Sequence, residues 1–387
     1  MRAIIGFNSA NHGDIWKDVS IGNLGEIITG TTPDTRNEEF YDNNGCLFIT
    51  PTDINSKYTK TTLKKLSKAG LRAGRRVPAG SILITCIASI GKNTIILEEG
   101  SCNQQINAIV PNKEKFCPEF VYYLMEYNHK KIISNASKGN MLIINKSIFS
   151  SINVFAPSLP EQQKIAEFFS TFDERIRVQE ELIAALEKMK KGYMQQLFPQ
   201  DGETEPRMRF EEFVGSGEWE EVRLGDVCQI DKGSQLNRLK MNPNGAYYVL
   251  NGGISPSGRH TEFNTPENTI SISSGGASAG YISFNKEKFW AGGDLFVLNN
   301  LINTLPLFLF YSLKKEEKAI MKCQIGGGIP HIYKKDLTLR NIFIPCIPEQ
   351  QKIADFLSAL DQKIEIQKKT LDVIKEMKKG YMQRMFV

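Results

Sequence analysis

No apolar run in this sequence of 387 residues approaches the ~18 residues a membrane-spanning helix needs, which speaks against a helical membrane protein. Histidine is scarce, with four in the chain, and the seven cysteines (Cys46, Cys86, Cys102, Cys117, Cys228, Cys323, Cys346) stand far apart with no C-x-x-C pair. That usage argues against a zinc site and a disulfide framework, and leaves reduced, buried thiols as the expectation. The opening "MRAIIGF", followed at once by "NSANHGD", has too short an apolar core for a secretory signal, so a cytoplasmic protein is expected.

Intact catalytic motifs are missing as well. In "CIASIGKN" (86–93) Cys86 stands where a phosphate-binding loop needs its first glycine, and Asn93 where Ser or Thr would hold magnesium. "NPNG" (242–245) lacks the second proline and the aromatic of a base-flipping methyltransferase motif and reads as a turn. "EEK" (316–318) reads as a charged helix face rather than a nuclease site. "SISSGGASAG" (271–280) and "QIGGGIPH" (324–331) read as strand turns, with backbone donors to phosphate as the alternative. Binding, rather than catalysis, is the class left standing.

What the chain does have is a repeat. "PEQQKIAEFFSTFDERI" (160–176) returns as "PEQQKIADFLSALDQKI" (348–364), and residues 160–198 and 348–386 share 20 of 39 identities. The identities gather at the ends, "PEQQKIA" and "MKKGYMQ". Between them the sequence drifts but keeps a 3-4 apolar spacing: Phe169, Phe172, Ile176, Ile183, Leu186 and Leu357, Leu360, Ile364, Leu371, Ile374. That is a heptad seam. Pro160 and Pro348 suit a first helical turn, and Glu161 and Glu349 sit well against the helix dipole there. A helix of about 36 residues would reach roughly 54 Å and cannot bury its seam alone, so the two copies are expected to pair with each other. Gln179 and Gln367 fall on the seam, where a polar residue can fix register; rotation out to solvent is the alternative.

A fainter repeat precedes each helix, since "WKDVSIGNLGEIITG" (16–30) matches "WEEVRLGDVCQIDKG" (219–233). Alternating runs such as "GCLFITPTDI", "GSILITCIASIGKNTIIL" and "TISISSGGASAGYISF" read as short strands, while 117–132 and 305–320 read as matching helices. The expected architecture is α+β: two globular domains at 1–159 and 207–347, joined by helices at 160–198 and 348–387. The helices pair as an intramolecular antiparallel coiled coil with a pseudo-two-fold internal repeat. "FPQDGETEPR" has the content of a linker, placed at 199–206.

Domain, helix, domain, helix, with "PEQQKIA" opening each helix and W-x-x-V-x-L/I-G opening each domain, resembles the DNA-specificity subunit of type I restriction-modification enzymes. "CNQQINAIVP" (102–111) and "FITPTDI" (48–54) look like pieces of that family's target-recognition domains. "PRMRFEEFVGSGEW" leads into the second domain as the family would have it, whereas "IIGFNSANHGDIW" keeps only fragments of that lead. The resemblance implies a non-catalytic subunit whose two domains each read one half of a split, asymmetric site in double-stranded DNA. It also implies helices that set the spacer and dock two methyltransferase subunits, with S-adenosylmethionine, ATP and magnesium on partner subunits and no cofactor here. Whether nuclease and translocase subunits join is left open. The rival reading is an interaction protein whose paired helices join two ligand-binding domains unrelated to DNA.

Charge favours DNA. Lys and Arg number 18 against 13 acids over 1–159, and 16 against 14 over 207–347. The stretch 57–76 holds eight bases, Lys57, Lys60, Lys64, Lys65, Lys68, Arg72, Arg75 and Arg76, and no acid, which suits phosphate contact. Lys232, Arg238 and Arg259 are the weaker cations of the second domain. Base reading is expected from loop residues Gln104, Gln105, Asn107, Lys138, Asn140, Gln235, Asn237, Arg238 and Arg259, since amides pair with adenine and guanidinium with guanine. The ends that did not drift suggest twin docking points for two identical partners: Pro160, Glu161, Gln162, Gln163 and Pro348, Glu349, Gln350, Gln351.

Overall fold

A computed structural model of the chain describes residues 16–137, 141–324 and 330–386. Two compact units emerge, one reaching Gln179 and resuming at Thr370, the other running from Glu180 to Lys369.

In the first unit a five-stranded sheet runs Gly25–Thr29, Ile106–Pro111, Ile82–Thr85, Asn93–Ile96, Tyr58–Thr59 in spatial order. Its centre, Ile82–Thr85, is buried throughout, as a strand covered on both faces should be. A smaller sheet sets Tyr41–Ile49 between an antiparallel Lys64–Leu66 and a parallel Gly100–Cys102. The second unit repeats this plan in unlike sequence. Gln229–Lys232, Leu295–Asn299, Thr269–Ser273 and Ile282–Asn285 form the main sheet in the same order, and Tyr247–Leu250 lies between an antiparallel Gly258–His260 and a parallel Phe289–Ala291. Each unit also pairs its opening strand with the one just before its long helix: Lys17–Ser20 with Asn153–Ala156, and Glu220–Arg223 with Asn341–Ile344.

The motif that looked like a phosphate-binding loop is a hairpin. Ile82–Thr85 turns back antiparallel into Asn93–Ile96, with Gly91 at φ +89° supplying the left-handed residue. "NPNG" is a turn closed by the Gly245 N–H donating to Asn242 O at 2.8 Å. The expected helix over 117–132 breaks at Asn128 into Pro118–Tyr127 and His129–Ser134, and its counterpart in the second unit is continuous over Pro306–Lys322.

The long helices run Leu159–Gln196 and Ile347–Met385, 38 and 39 residues. In the first unit the start of the central helix meets the end of the C-terminal one, with the Phe168 and Phe172 rings 5.3 and 5.7 Å from Tyr381. In the second, the end of the central helix meets the start of the other, with Tyr193 4.9 Å from Phe356. The pair is therefore antiparallel within each unit. Phe169, Phe172, Ile183, Leu186, Leu357 and Ile364 are buried along the seam, and Gln179 and Gln367 are half-buried there.

Candidate nucleic-acid interface

At one end of the first unit's sheet, four stretches are tied by backbone hydrogen bonds. The Gly30 N–H donates to Ile106 O (3.0 Å), Thr31 N–H to Cys102 O (2.9 Å), Cys86 N–H to Gln105 O (2.7 Å) and Ala88 N–H to Leu142 O (3.0 Å). Gln104 lies exposed on this frame, its Oε1 accepting the Thr32 hydroxyl at 2.6 Å. Gln105 is half-buried and accepts from Asn103 Nδ2 at 3.0 Å. Arg75 reaches the same place, Nη1 donating to Thr29 O at 2.8 Å.

The second unit rebuilds the frame bond for bond. Gly233 N–H donates to Leu295 O (2.9 Å), Ser234 N–H to Ala291 O (2.9 Å), Ser274 N–H to Asp294 O (2.8 Å) and Gly276 N–H to Pro330 O (3.0 Å). Exposed on it are Gln235, Asp294 and His331. Asp294 and His331 were not among the residues expected from sequence, because only the matched frame places them opposite Gln105 and Ile143.

The other expected contacts sort by where their polar atoms go. Lys60, Lys64, Lys68, Arg72 and Arg76 are exposed and Lys65 is half-buried, distributed over the strand Lys64–Leu66, the short helix Lys68–Ala73 and the flanking turns. Lys57 is turned inward: Nζ donates to Tyr123 OH (2.9 Å) and Ser170 Oγ (2.8 Å) and lies 4.0 Å from Asp173, with its side chain 10% exposed. Burial lowers its pKa, and a phosphate could reach it only by opening the unit. Asn107 is likewise buried in its strand, accepting from Thr29 Oγ1 (2.7 Å) and donating to Cys86 Sγ (3.2 Å). Asn237 caps a 3-10 turn, its Oδ1 accepting from the Leu239 N–H at 2.9 Å, and Arg238 is exposed in that turn. Lys232 is exposed on its strand. Arg259 braces a turn through Nε and Nη2 to the Gly245 and Ala246 carbonyls, both at 2.6 Å. Lys138 and Asn140 lie outside the described residues.

The repeated helix ends attach each domain to the helix pair. Gln162 is buried, its Oε1 accepting the Cys117 N–H (3.0 Å) and its Nε2 donating to Lys115 O (3.1 Å) and Pro157 O (2.9 Å). Gln350 does the same with Leu305 N–H (2.9 Å), Asn303 O (3.0 Å) and Pro345 O (2.9 Å). Glu349 is buried in a two-pronged pair with Arg209 at 2.7 and 2.8 Å, and Glu161 accepts from Trp16 Nε1 at 3.4 Å. Pro160, Gln163, Pro348 and Gln351 are exposed. "MKKGYMQ" supplies the other half of each attachment. In the first unit Lys378 meets Asp173 (2.9 Å) and Glu126 (3.1 Å), while Tyr123 donates to Asp173. In the second, Lys190 meets Asp361 (2.5 Å), which also accepts from Tyr311 OH (2.7 Å). Burial alone would lower the Lys378 pKa, but the Glu126 and Asp173 carboxylates more than offset it and the value is raised. Just past each helix an aromatic closes the joint: Phe386 sits 5.8 Å from Trp16 and 5.6 Å from Phe120, and Phe198 sits 6.0 Å from Trp219 and 5.5 Å from Phe308. Outer helix faces carry exposed apolar residues at helical spacing, Val178, Leu182 and Met189 on one helix, Val373 and Met377 on the other.

No group of His, Cys, Asp and Glu placed to hold a metal occurs among the described residues, and none of the helices described is long and apolar enough to cross a membrane. The cysteines are free thiols; burial pushes Cys86 to about 11 and Cys102 and Cys228 to about 12, while Cys346 is exposed.

Residues 14–188 and 216–376 match the model of the type I restriction modification DNA specificity domain. The specificity subunit of the type I restriction enzyme MjaIX from Methanocaldococcus jannaschii is 26% identical over 96% of this chain and 92% of its own length. A Mycoplasma pneumoniae chain named as a type I specificity subunit is 35% identical over 43% of this chain, and the match spans 45% of that relative, so less than half of its length is covered. In fold, the S subunit of a type I restriction-modification system from M. genitalium superposes with a TM-score of 0.66 at 21% identity, covering 98% of both chains. The two matched segments take in both globular parts and both copies of "PEQQKIA", and the chain belongs to the family of type I restriction-modification DNA-specificity proteins.

Proposed function

We propose that this chain supplies the DNA sequence specificity of a type I restriction-modification enzyme and leaves catalysis, with S-adenosylmethionine, ATP and magnesium, to its partner subunits. Each unit reads one half of a split target. The observation that carries this is the duplicated frame: two loop ends with the same backbone bonds and different exposed side chains suit two unlike half-sites. The basic surface around Lys64, Lys68, Arg72 and Arg76 supplies sequence-independent phosphate affinity.

The helix pair acts as a ruler between the readers. Asp173 and Lys190 are 17 residues apart on one helix and Asp361 and Lys378 are 17 apart on the other, so the two ion-paired keys fix one common length. Two methyltransferase subunits dock on the exposed members of the two helix starts and on the outer apolar faces around Leu182 and Val373.

Mapping methylated DNA in cells that express the chain with its methyltransferase tests both statements. Inserting seven residues between the keys of both helices keeps them in register and should lengthen the spacer of the methylated site by about 10 Å, or roughly three base pairs. An unchanged spacer rejects the ruler. Methylation without sequence preference in the parent complex rejects the specificity reading itself.

A further inference from the structure

Resting on that specificity reading, we propose that Gln104 and Gln235 are base-reading amides that play the same role from opposite loops, one per half-site, each set against adenine. The matched bonds give the correspondence. Gly30 and Thr31 align with Gly233 and Ser234, so Thr32 aligns with Gln235. Asn103 N–H donates to Ile49 O (3.0 Å) as Gly292 N–H does to Leu250 O (2.9 Å), and Cys86 N–H bonds Gln105 O as Ser274 N–H bonds Asp294 O, so Gln104 aligns with Gly293.

The two units therefore present an amide from opposite loops. In the first, Gln104 extends from the second loop toward a small residue, Thr32, whose hydroxyl donates to Gln104 Oε1 at 2.6 Å. In the second, Gln235 extends from the first loop toward Gly293, where a Cβ would come within 2.9 Å of Gln235 Oε1. The missing side chain at Gly293 is what gives the Gln235 amide its room. Both amides are exposed, and each loop is anchored, the Gln235 loop by Trp290 Nε1 donating to Ser234 O at 2.9 Å. A carboxamide offers an acceptor beside a donor, the complement of adenine N6 and N7 in the major groove. The Thr32 hydroxyl takes only one Oε1 lone pair and leaves the other for the base. The neighbouring matched position holds Gln105 in one unit and Asp294 in the other, so the half-sites differ beside the shared adenine.

The test is methylome mapping of the complex with Gln104→Ala, Gln235→Ala and Gly293→Ala chains, together with Gln104→Glu as an isosteric change that the fold should accept. Gln104→Ala should relax one adenine position in one half-site by about ten- to a hundredfold in preference, and Gln235→Ala one adenine position in the other half-site, with the spacer unchanged. Gly293→Ala, which crowds the amide, should relax the same position as Gln235→Ala. Unaltered base preference in Gln104→Ala and Gln104→Glu, or loss in the same half-site for both glutamines, overturns the proposal while leaving the specificity reading intact. A parent complex with no sequence preference would instead remove the reading on which it rests.

Discussion

Replacing Gln162 by leucine separates helix attachment from partner docking at the most repeated motif of the chain. The buried amide satisfies three backbone groups, the Cys117 N–H and the Lys115 and Pro157 carbonyls. An unsatisfied buried polar group costs about 1–3 kcal/mol. Apolar gain from the leucine offsets part of that, and a net loss of about 3 kcal/mol follows, mostly from the orphaned N–H. For a unit of this size that lowers Tm by about 6–12 °C. The loss belongs to the first unit, so hydrogen exchange is the assay: protection of the Cys117 amide should fall about a hundredfold or more, while the Leu305 amide, held by Gln350 in the second unit, keeps its protection. Gln163→Leu, at an exposed position, should shift stability by less than about 0.5 kcal/mol and weaken methyltransferase binding. Equal stability of the two variants, with binding lost only in Gln162→Leu, would refute the attachment role and return Gln162 to the docking surface.

Lys378→Met should destabilise the first unit by about 3 kcal/mol, because the half-buried Glu126 loses its cation and Asp173 keeps only the Lys57 ammonium at 4.0 Å. The Lys378 pKa is raised above its ordinary 10.5, so its contribution is full below that pH and is lost as pH rises through the folded value. Alkaline titration should therefore erode a stability increment that the variant lacks, and parallel curves above pH 10.5 would contradict the pairing. Lys64→Ala with Arg72→Ala should weaken binding to any duplex and flatten the slope of log affinity against log salt by about 2 units in gel shifts. A changed target with an unchanged slope would contradict phosphate contact there.

Much of the architecture was legible because it obeys periodic rules. Phe169, Phe172, Ile183, Leu186, Leu357 and Ile364 are buried as their spacing requires, and Ile176, Leu360, Leu371 and Ile374 are half-buried. Strand runs showed in the same way, since alternation or a continuous apolar stretch such as Ile82–Thr85 is a local property. Lys57 and Asn107 misled because composition cannot report which way a side chain turns. Lys57 lies in a basic stretch, yet a detour carrying Tyr58–Thr59 alongside Asn93–Ile96 directs its ammonium onto Tyr123 and Ser170. Asn107 lies beside Gln104 and Gln105 in sequence, but the strand starting at Ile106 has already carried it under the sheet, where Thr29 and Cys86 take its amide. Asp294 and His331 gave no signal, because their significance exists only once both frames are overlaid.

The same distinction changes what the identity of the helix ends means. Sequence comparison shows "PEQQKIA" and "MKKGYMQ" resisting drift, and two like partners would explain that. Buried contacts explain it first: Gln162 and Gln350 each bind three backbone groups, and Lys378 and Lys190 each neutralise an aspartate that holds a tyrosine. Each domain takes one set of residues from the start of one helix and the other from the end of its antiparallel partner. A substitution in either copy of "MKKGYMQ" therefore damages the domain attached to the other copy. That crossing couples the copies: two domains of unlike sequence can diverge in their loops, while the helix ends that seat them must stay interchangeable.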